Sequence, residues 1–220
     1  MTPASKRVDI VGTGLGPATL TREAAEAITG ADLVVGSARL LAEHAEQAAV
    51  CPASRPDEMV AAIQRADACR IAVLMSGDVG FHSGAGKVFA ALREDDSFEV
   101  QLLAGVSTPA LFAARLGVSW GDAGLVSCHG QDSGIVAQVR RHRRTFVLTG
   151  RNVAGLAASL SAAGYGALSV YAGQDLGYPS THLVAMRGPV GRELNAARFR
   201  QYAAKILGSK ESGEPGGCAD

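Results

Sequence analysis

Short apolar runs in this chain repeatedly end in glycine accompanied by hydroxyl, acidic or histidine side chains. Val8–Val11 leads into Gly12-Thr13-Gly14-Leu15-Gly16-Pro17. Ile71–Met75 leads into Ser76-Gly77-Asp78-Val79-Gly80-Phe81-His82-Ser83-Gly84. Phe98–Leu103 leads into Ala104-Gly105-Val106-Ser107-Thr108-Pro109. Later runs lead into Cys128-His129-Gly130, Thr149-Gly150-Arg151 and Ala172-Gly173-Gln174-Asp175. Glycine where the chain leaves a strand lets a ligand come close to the backbone, while neighbouring hydroxyls and carboxylates offer it polar partners. Such residues suit holding and orienting a reactive ligand. No nucleophile with its base is apparent, and His129 first, then His82, are the candidates for moving a proton, because both follow strands. The competing reading of each is a hydrogen-bonded loop histidine.

Other chemistries are excluded by spacing. A dinucleotide fingerprint needs G-x-G-x-x-G and an acid closing the second strand. Here Pro17 takes the third glycine position, Asp32 opens the second strand, and Gly36-Ser37 closes it. No G-x-x-x-x-G-K-[ST] and no G-x-S-x-G occurs. His44, His82, His129, His142 and His182 lie far apart, so no metal is expected. Cys51, Cys69, Cys128 and Cys218 form no C-x-x-C pair and read as free thiols, three of them in or near the core. Arg140-Arg141-His142-Arg143-Arg144 reads as a solvated helix end favoured by the helix dipole.

Composition limits the partners. Lys+Arg and Asp+Glu both number 21, giving a formal net charge of +0, so the chain carries no electrostatic footprint for nucleic acid. Aromatics at 5% offer little to stack single-stranded bases on. No apolar run reaches the roughly 18–20 residues that span a bilayer, and the first residues do not read as a signal peptide, so a cytoplasmic protein is expected. Hydrophobic residues, 47% of 220, are enough for a full core.

The elements that position these loops alternate between strand and helix. Strands are expected at Val8–Val11, Asp32–Gly36, Ile71–Met75, Phe98–Leu103, Leu125–Ser127, Thr145–Thr149, Ala167–Tyr171 and Thr181–Met186. Helices are expected over 20–28, from Ser37 to about Gln47, from Pro56 to about Ala68, and over 85–92, 108–116, 133–142 and from Asn152 to Ala163. Repeated strand–helix units imply a mostly parallel α/β architecture. Gly117–Gly124 is the expected linker, giving an N-terminal domain over 1–118, a C-terminal domain over 119–208, and a disordered tail over 209–220.

Taken together, the loops resemble the tetrapyrrole methylases. Val11-Gly12-Thr13-Gly14-Leu15-Gly16-Pro17 with Ala31–Gly36 is similar to their opening, Ser76-Gly77-Asp78 with Phe81-His82-Ser83 to their second motif, and Gly105-Val106-Ser107-Thr108 to their third. Ser127-Cys128-His129-Gly130 and Val170–Pro179 resemble blocks of one branch, the precorrin carbon-5 methyltransferases of cobalamin synthesis. The resemblance covers about residues 8–187. It implies two α/β domains with S-adenosylmethionine in a cleft between them, a tetrapyrrole substrate, and a homodimer. Leu15, Asp78, Phe81, Ser107 and Thr108, with Leu148 and Ala172 from the second domain, would contact the cofactor. Gly12, Gly14, Gly16, Pro17 and Arg151 would face the substrate. Arg39, Arg115 and Arg151, near the motifs, are candidates to meet substrate carboxylates. Carbon-15 methylation and decarboxylation, carried by an extra domain in some relatives, would fall to a separate partner protein. Val79 replaces the usual Pro after Asp78, and Gln131 stands where Arg often follows His129-Gly130. Beyond Arg192 no closing strand is evident, and Phe199–Leu207 reads as helical. Other acceptors stay open: an earlier corrin intermediate, a uroporphyrinogen or a modified protein residue. Outside enzymes, the alternative is a non-catalytic nucleotide-binding module.

Overall fold

The computed structural model describes residues 5–44, 49–128, 134–149, 153–186 and 203–208. The chain divides into two units, the first comprising Met1–Leu111 with Leu176–Ser180 and the second Phe112–Asp175 with Thr181–Asp220.

The first unit is built on a five-stranded sheet in the order β3-β2-β4-β1-β5, from β1 (Lys6–Gly12), β2 (Leu33–Gly36), β3 (Ala49–Pro52), β4 (Arg70–Met75) and β5 (Phe98–Leu103). Every pairing is parallel. Successive side chains of a strand face opposite sides, and β4 shows what this does to an unbroken apolar run. Ile71, Val73 and Met75 pack with Met59 and Ile63 of α3 (Pro56–Arg65) and with Val88 and Leu92 of α4 (Ala85–Leu92). Ala72 and Leu74 pack on the other face with Ala24 and Ile28 of α1 (Arg22–Thr29) and Leu40 and Leu41 of α2 (Ala38–His44). Thr21 caps α1, its hydroxyl accepting from the Ala24 amide at 3.1 Å. Pro56 opens α3, and Glu58 reaches back to accept from the Arg55 amide at 3.1 Å.

β3 was not anticipated. It has four residues, lies at the sheet edge, is largely exposed, and ends in Pro52, whose missing N–H is tolerated there. Cys69 is exposed just before β4 rather than near the core, whereas Cys51 and Cys128 are half-buried against it.

The second unit carries a mixed sheet in the order β6-β7-β10-β8-β9. Its strands are β6 (Gly124–Ser127), β7 (Arg144–Leu148), β8 (Ser169–Gln174), β9 (His182–Met186) and β10 (Ala203–Gly208). Among the described residues only β6 and β7 pair in parallel, the other pairings being antiparallel, so the mostly parallel expectation holds for the first sheet and not for this one. α6 (Ile135–Arg141) and α7 (Val153–Ala162) supply Ile135, Val139, Val153, Ala157 and Leu160 to a core with Val126, Val147 and Val170. α5 (Thr108–Leu116) contains the division between the units, and its Phe112 meets Phe146 edge-on at 6.1 Å.

The helix read over Phe199–Leu207 is corrected over its described residues, 203–207. Residues 203–208 form β10, antiparallel to β7 on one side and to β8 on the other. Ala, Lys and Leu are helix formers, but that preference is worth less than about 1 kcal/mol per residue, and a slot open on both sides of a sheet offers every amide and carbonyl a partner. The tail read over 209–220 lies outside the described residues.

Candidate active site

The carboxyl ends of β4, β1 and β5 lie side by side, and their loops are bonded to one another. The Thr13 amide and hydroxyl both donate to the Met75 carbonyl, at 2.8 and 3.1 Å. Gly14 and Gly77 exchange backbone hydrogen bonds at 3.1 and 2.8 Å. A Cβ on Gly12 would lie 2.6 Å from the Gly105 nitrogen and 2.9 Å from the Gly77 oxygen, so only glycine lets the three loops meet.

Asp78 fastens this junction. One carboxylate oxygen accepts from the Gly80 amide at 2.8 Å and the other from the Gly105 amide at 3.1 Å. The side chain therefore links the loop after β4 to the loop after β5. Its part in holding a ligand is to fix the backbone that surrounds it, alongside any contact of its own.

The other expected residues fall as follows. Leu15 is half-buried, its amide donating to the Thr19 hydroxyl at 2.7 Å, and Pro17 opens a short 3-10 turn. Gly16 adopts φ 133, and a Cβ there would lie 2.7 Å from the Gly177 carbonyl oxygen. Phe81 is half-buried and meets the ring of exposed His82 edge-on at 4.7 Å. His82 has φ 49, left-handed backbone uncommon for a residue with a Cβ. Ser107 immediately precedes α5, its carbonyl accepting from the Leu111 amide at 3.1 Å, and Thr108 is the first helical residue. All of these lie in the first unit. Leu148 ends β7 in the second unit and is half-buried. Ala172 is fully buried inside β8, which runs on to Gln174 rather than ending at Tyr171. His129 and Arg151 lie outside the described residues.

Arg39, expected near the motifs, sits in a polar cluster beside the first loop whose other members, Glu43 and Tyr178, were missed. Arg39, on α2, donates through one terminal nitrogen to Glu43 at 3.0 Å and to the Tyr178 hydroxyl at 2.8 Å. Its other terminal nitrogen donates to the Ser76 hydroxyl at 3.3 Å. Tyr178 in turn donates to Glu43 at 2.9 Å. Burial and the hydrogen bond to Glu43 raise the phenol's pKa, which keeps it a neutral donor. The Arg39-to-Glu43 spacing of i, i+4 was legible in sequence, but the approach of Tyr178 from so distant a segment was not.

The residues present suit a cofactor with an apolar body and polar ends. Glycine backbone lies at the strand ends, half-buried Leu15, Phe81 and Val106 are apolar, and the Ser107 and Thr108 hydroxyls are adjacent.

A family model described as Tetrapyrrole (Corrin/Porphyrin) Methylases matches residues 7–191. The cobalamin biosynthesis precorrin-6Y methylase of Archaeoglobus fulgidus is a structural neighbour, with a TM-score of 0.70 and 21% identity, covering 93% of this chain and 98% of that one. Another is the uroporphyrin-III C-methyltransferase of Thermus thermophilus complexed with S-adenosylhomocysteine, with a TM-score of 0.72 and 21% identity, covering 92% and 97% of the two chains. At such identities the likeness is one of fold. A curated relative, a cobalt-precorrin-6A reductase of Methanothermobacter thermautotrophicus, is 48% identical over 45 residues, or 20% of this chain. The match spans only 15% of that relative's length.

Proposed function

The chain belongs to the tetrapyrrole methylases, and from that premise we propose that it methylates carbon 5 of a late precorrin, metal-free or cobalt-bearing, in cobalamin synthesis. The observation that carries the methyl-transfer reading is the glycine junction at the ends of β1, β4 and β5, tied by Asp78. The carbon-5 assignment is supported by Ser127–Gly130 and Val170–Pro179 and by the shared fold of the Archaeoglobus precorrin-6Y methylase.

When bound, S-adenosylmethionine supplies the methyl group, carried on a sulfonium that an electron-rich ring carbon can attack in line. The protein's share is binding, orientation and exclusion of water. Asp78 holds the Gly80 and Gly105 amides, and with them the loops, in place before any ligand arrives. Leu15, Phe81 and Val106 offer apolar contact that displaces solvent, and Ser107 and Thr108 offer hydroxyls. An electron-rich acceptor needs no activated protein nucleophile, in keeping with the lack of one in the sequence.

Equilibrium titration with S-adenosylmethionine tests this reading. The wild-type chain is expected to bind, and Asp78→Ala to bind roughly tenfold more weakly, since two amides lose a charged acceptor. No binding by the wild type at millimolar cofactor contradicts the methyltransferase reading. Unchanged affinity in Asp78→Ala removes the junction from the cofactor site.

A further inference from the structure

We propose that Arg39, held in place by Glu43 and Tyr178, is a receptor for a carboxylate of an anionic macrocyclic substrate beside the β1 and β4 loops. This rests on the methyltransferase reading for its substrate class, but not for its geometry.

The geometry begins with hydrogen-bond counting. A guanidinium has five N–H groups in a fixed fork and no acceptor. In Arg39, three are used: two on one terminal nitrogen by Glu43 and Tyr178, and one on the other by Ser76. Nε–H and one further N–H have no acceptor among the described residues. That pair is the kind that grips both oxygens of a carboxylate. Arg39 is half exposed, its side chain keeping 50% of its accessible surface, so an incoming anion reaches it without displacing protein.

The surrounding groups fix its aim. A free arginine side chain loses rotamer entropy when it grips a ligand, and prior anchoring removes part of that cost. Glu43, with 22% side-chain exposure, and Tyr178 provide that anchoring. Tyr178 also lies against the first loop, where a Cβ on Gly16 would come within 3.5 Å of its ring. Ser76 is the residue immediately before Gly77 and Asp78. The guanidinium is thereby tied to both loops that carry the cofactor reading. Arg39 is the contacting residue, and Tyr178 and Glu43 are positioning residues.

The cluster also resolves how an even-charged chain receives a polyanion. With Glu43 at 3.0 Å, Arg39 adds no net charge to the cluster and recognises through directed hydrogen bonds.

The test uses the full chain and two ligands, S-adenosylmethionine and uroporphyrin, an octacarboxylate macrocycle whose fluorescence reports binding. Arg39→Gln is expected to weaken uroporphyrin about tenfold and Tyr178→Phe about threefold, as for loss of a charged and of a supporting hydrogen bond. Cofactor affinity should stay within about twofold in both. Tyr178→Phe should add nothing in the Arg39→Gln background, a coupling that a merely structural role does not produce. Absence of uroporphyrin binding by the wild type, unchanged uroporphyrin affinity in Arg39→Gln, or equal loss of both ligands overturns the inference. A wild type that binds uroporphyrin through Arg39 but never binds S-adenosylmethionine overturns the methyltransferase reading and leaves the carboxylate receptor standing.

Discussion

At the end of β4 the chain spends one carboxylate, Asp78, on two backbone amides from different loops. The neighbouring α2 ends in a histidine in a contrasting situation. His44 is buried, its Nε2 lies 3.7 Å from a Glu43 carboxylate oxygen, and that nitrogen has no hydrogen-bond partner among the described residues. Burial holds the imidazole's pKa below its ordinary 6.5, with Glu43 opposing and Arg39 assisting. The unfolded chain takes up a proton there near pH 6.5 and the folded chain only at lower pH. Between those values the unfolded state binds more protons, so stability falls as pH drops below about 6.5. The thermal midpoint should therefore decline between about pH 7.5 and 5.5, and His44→Leu should flatten the decline. An identical slope in the variant would show that His44 does not titrate in this way. The motif residues Gly12, Gly14, Asp78 and Gly105 were legible because glycine and acid at a strand end have few uses. The approach of Tyr178 to Glu43 was not, because a hydrogen bond between segments 135 residues apart leaves no local pattern.

At the scale of elements, the first sheet was readable chiefly through β1, β2 and β4, apolar runs buried on both faces and closed or followed by glycine. The α4, β5 and α5 bounds were read as the structure has them. The failures came where tertiary pairing outweighs local preference. β3 is short, exposed and at an edge, and β10 is composed partly of helix-favouring residues yet sits between β7 and β8. In a strand paired on both sides each amide is committed to one neighbour or the other. Ile206, opposite Phe146 and Tyr171, is a direct test. Ile206→Pro removes an amide from the centre of the sheet and should abolish hydrogen-exchange protection in β7 and β8 while β1 and β4 keep theirs at first. Protection in β7 and β8 equal to that of the wild type would contradict β10's central place.

At the scale of the molecule, the chain builds two units with separate apolar cores, and the first brings the cofactor-type loops and the Arg39 cluster to one end of a fully parallel sheet. Ligands of open α/β sheets bind at that end of the strands. Among the described residues no helix is long and apolar enough to cross a membrane. The even balance of 21 basic and 21 acidic residues is compatible with an anionic substrate, provided recognition is local, as at Arg39. The position of methyl transfer decides what the molecule does. The most direct measurement is a turnover of the full chain with a late precorrin and S-adenosylmethionine carrying a carbon-13 methyl group, followed by NMR of the product. A single labelled methyl on ring carbon 5 is expected. Label at another ring carbon, or label on uroporphyrinogen but not on the late precorrin, would contradict it.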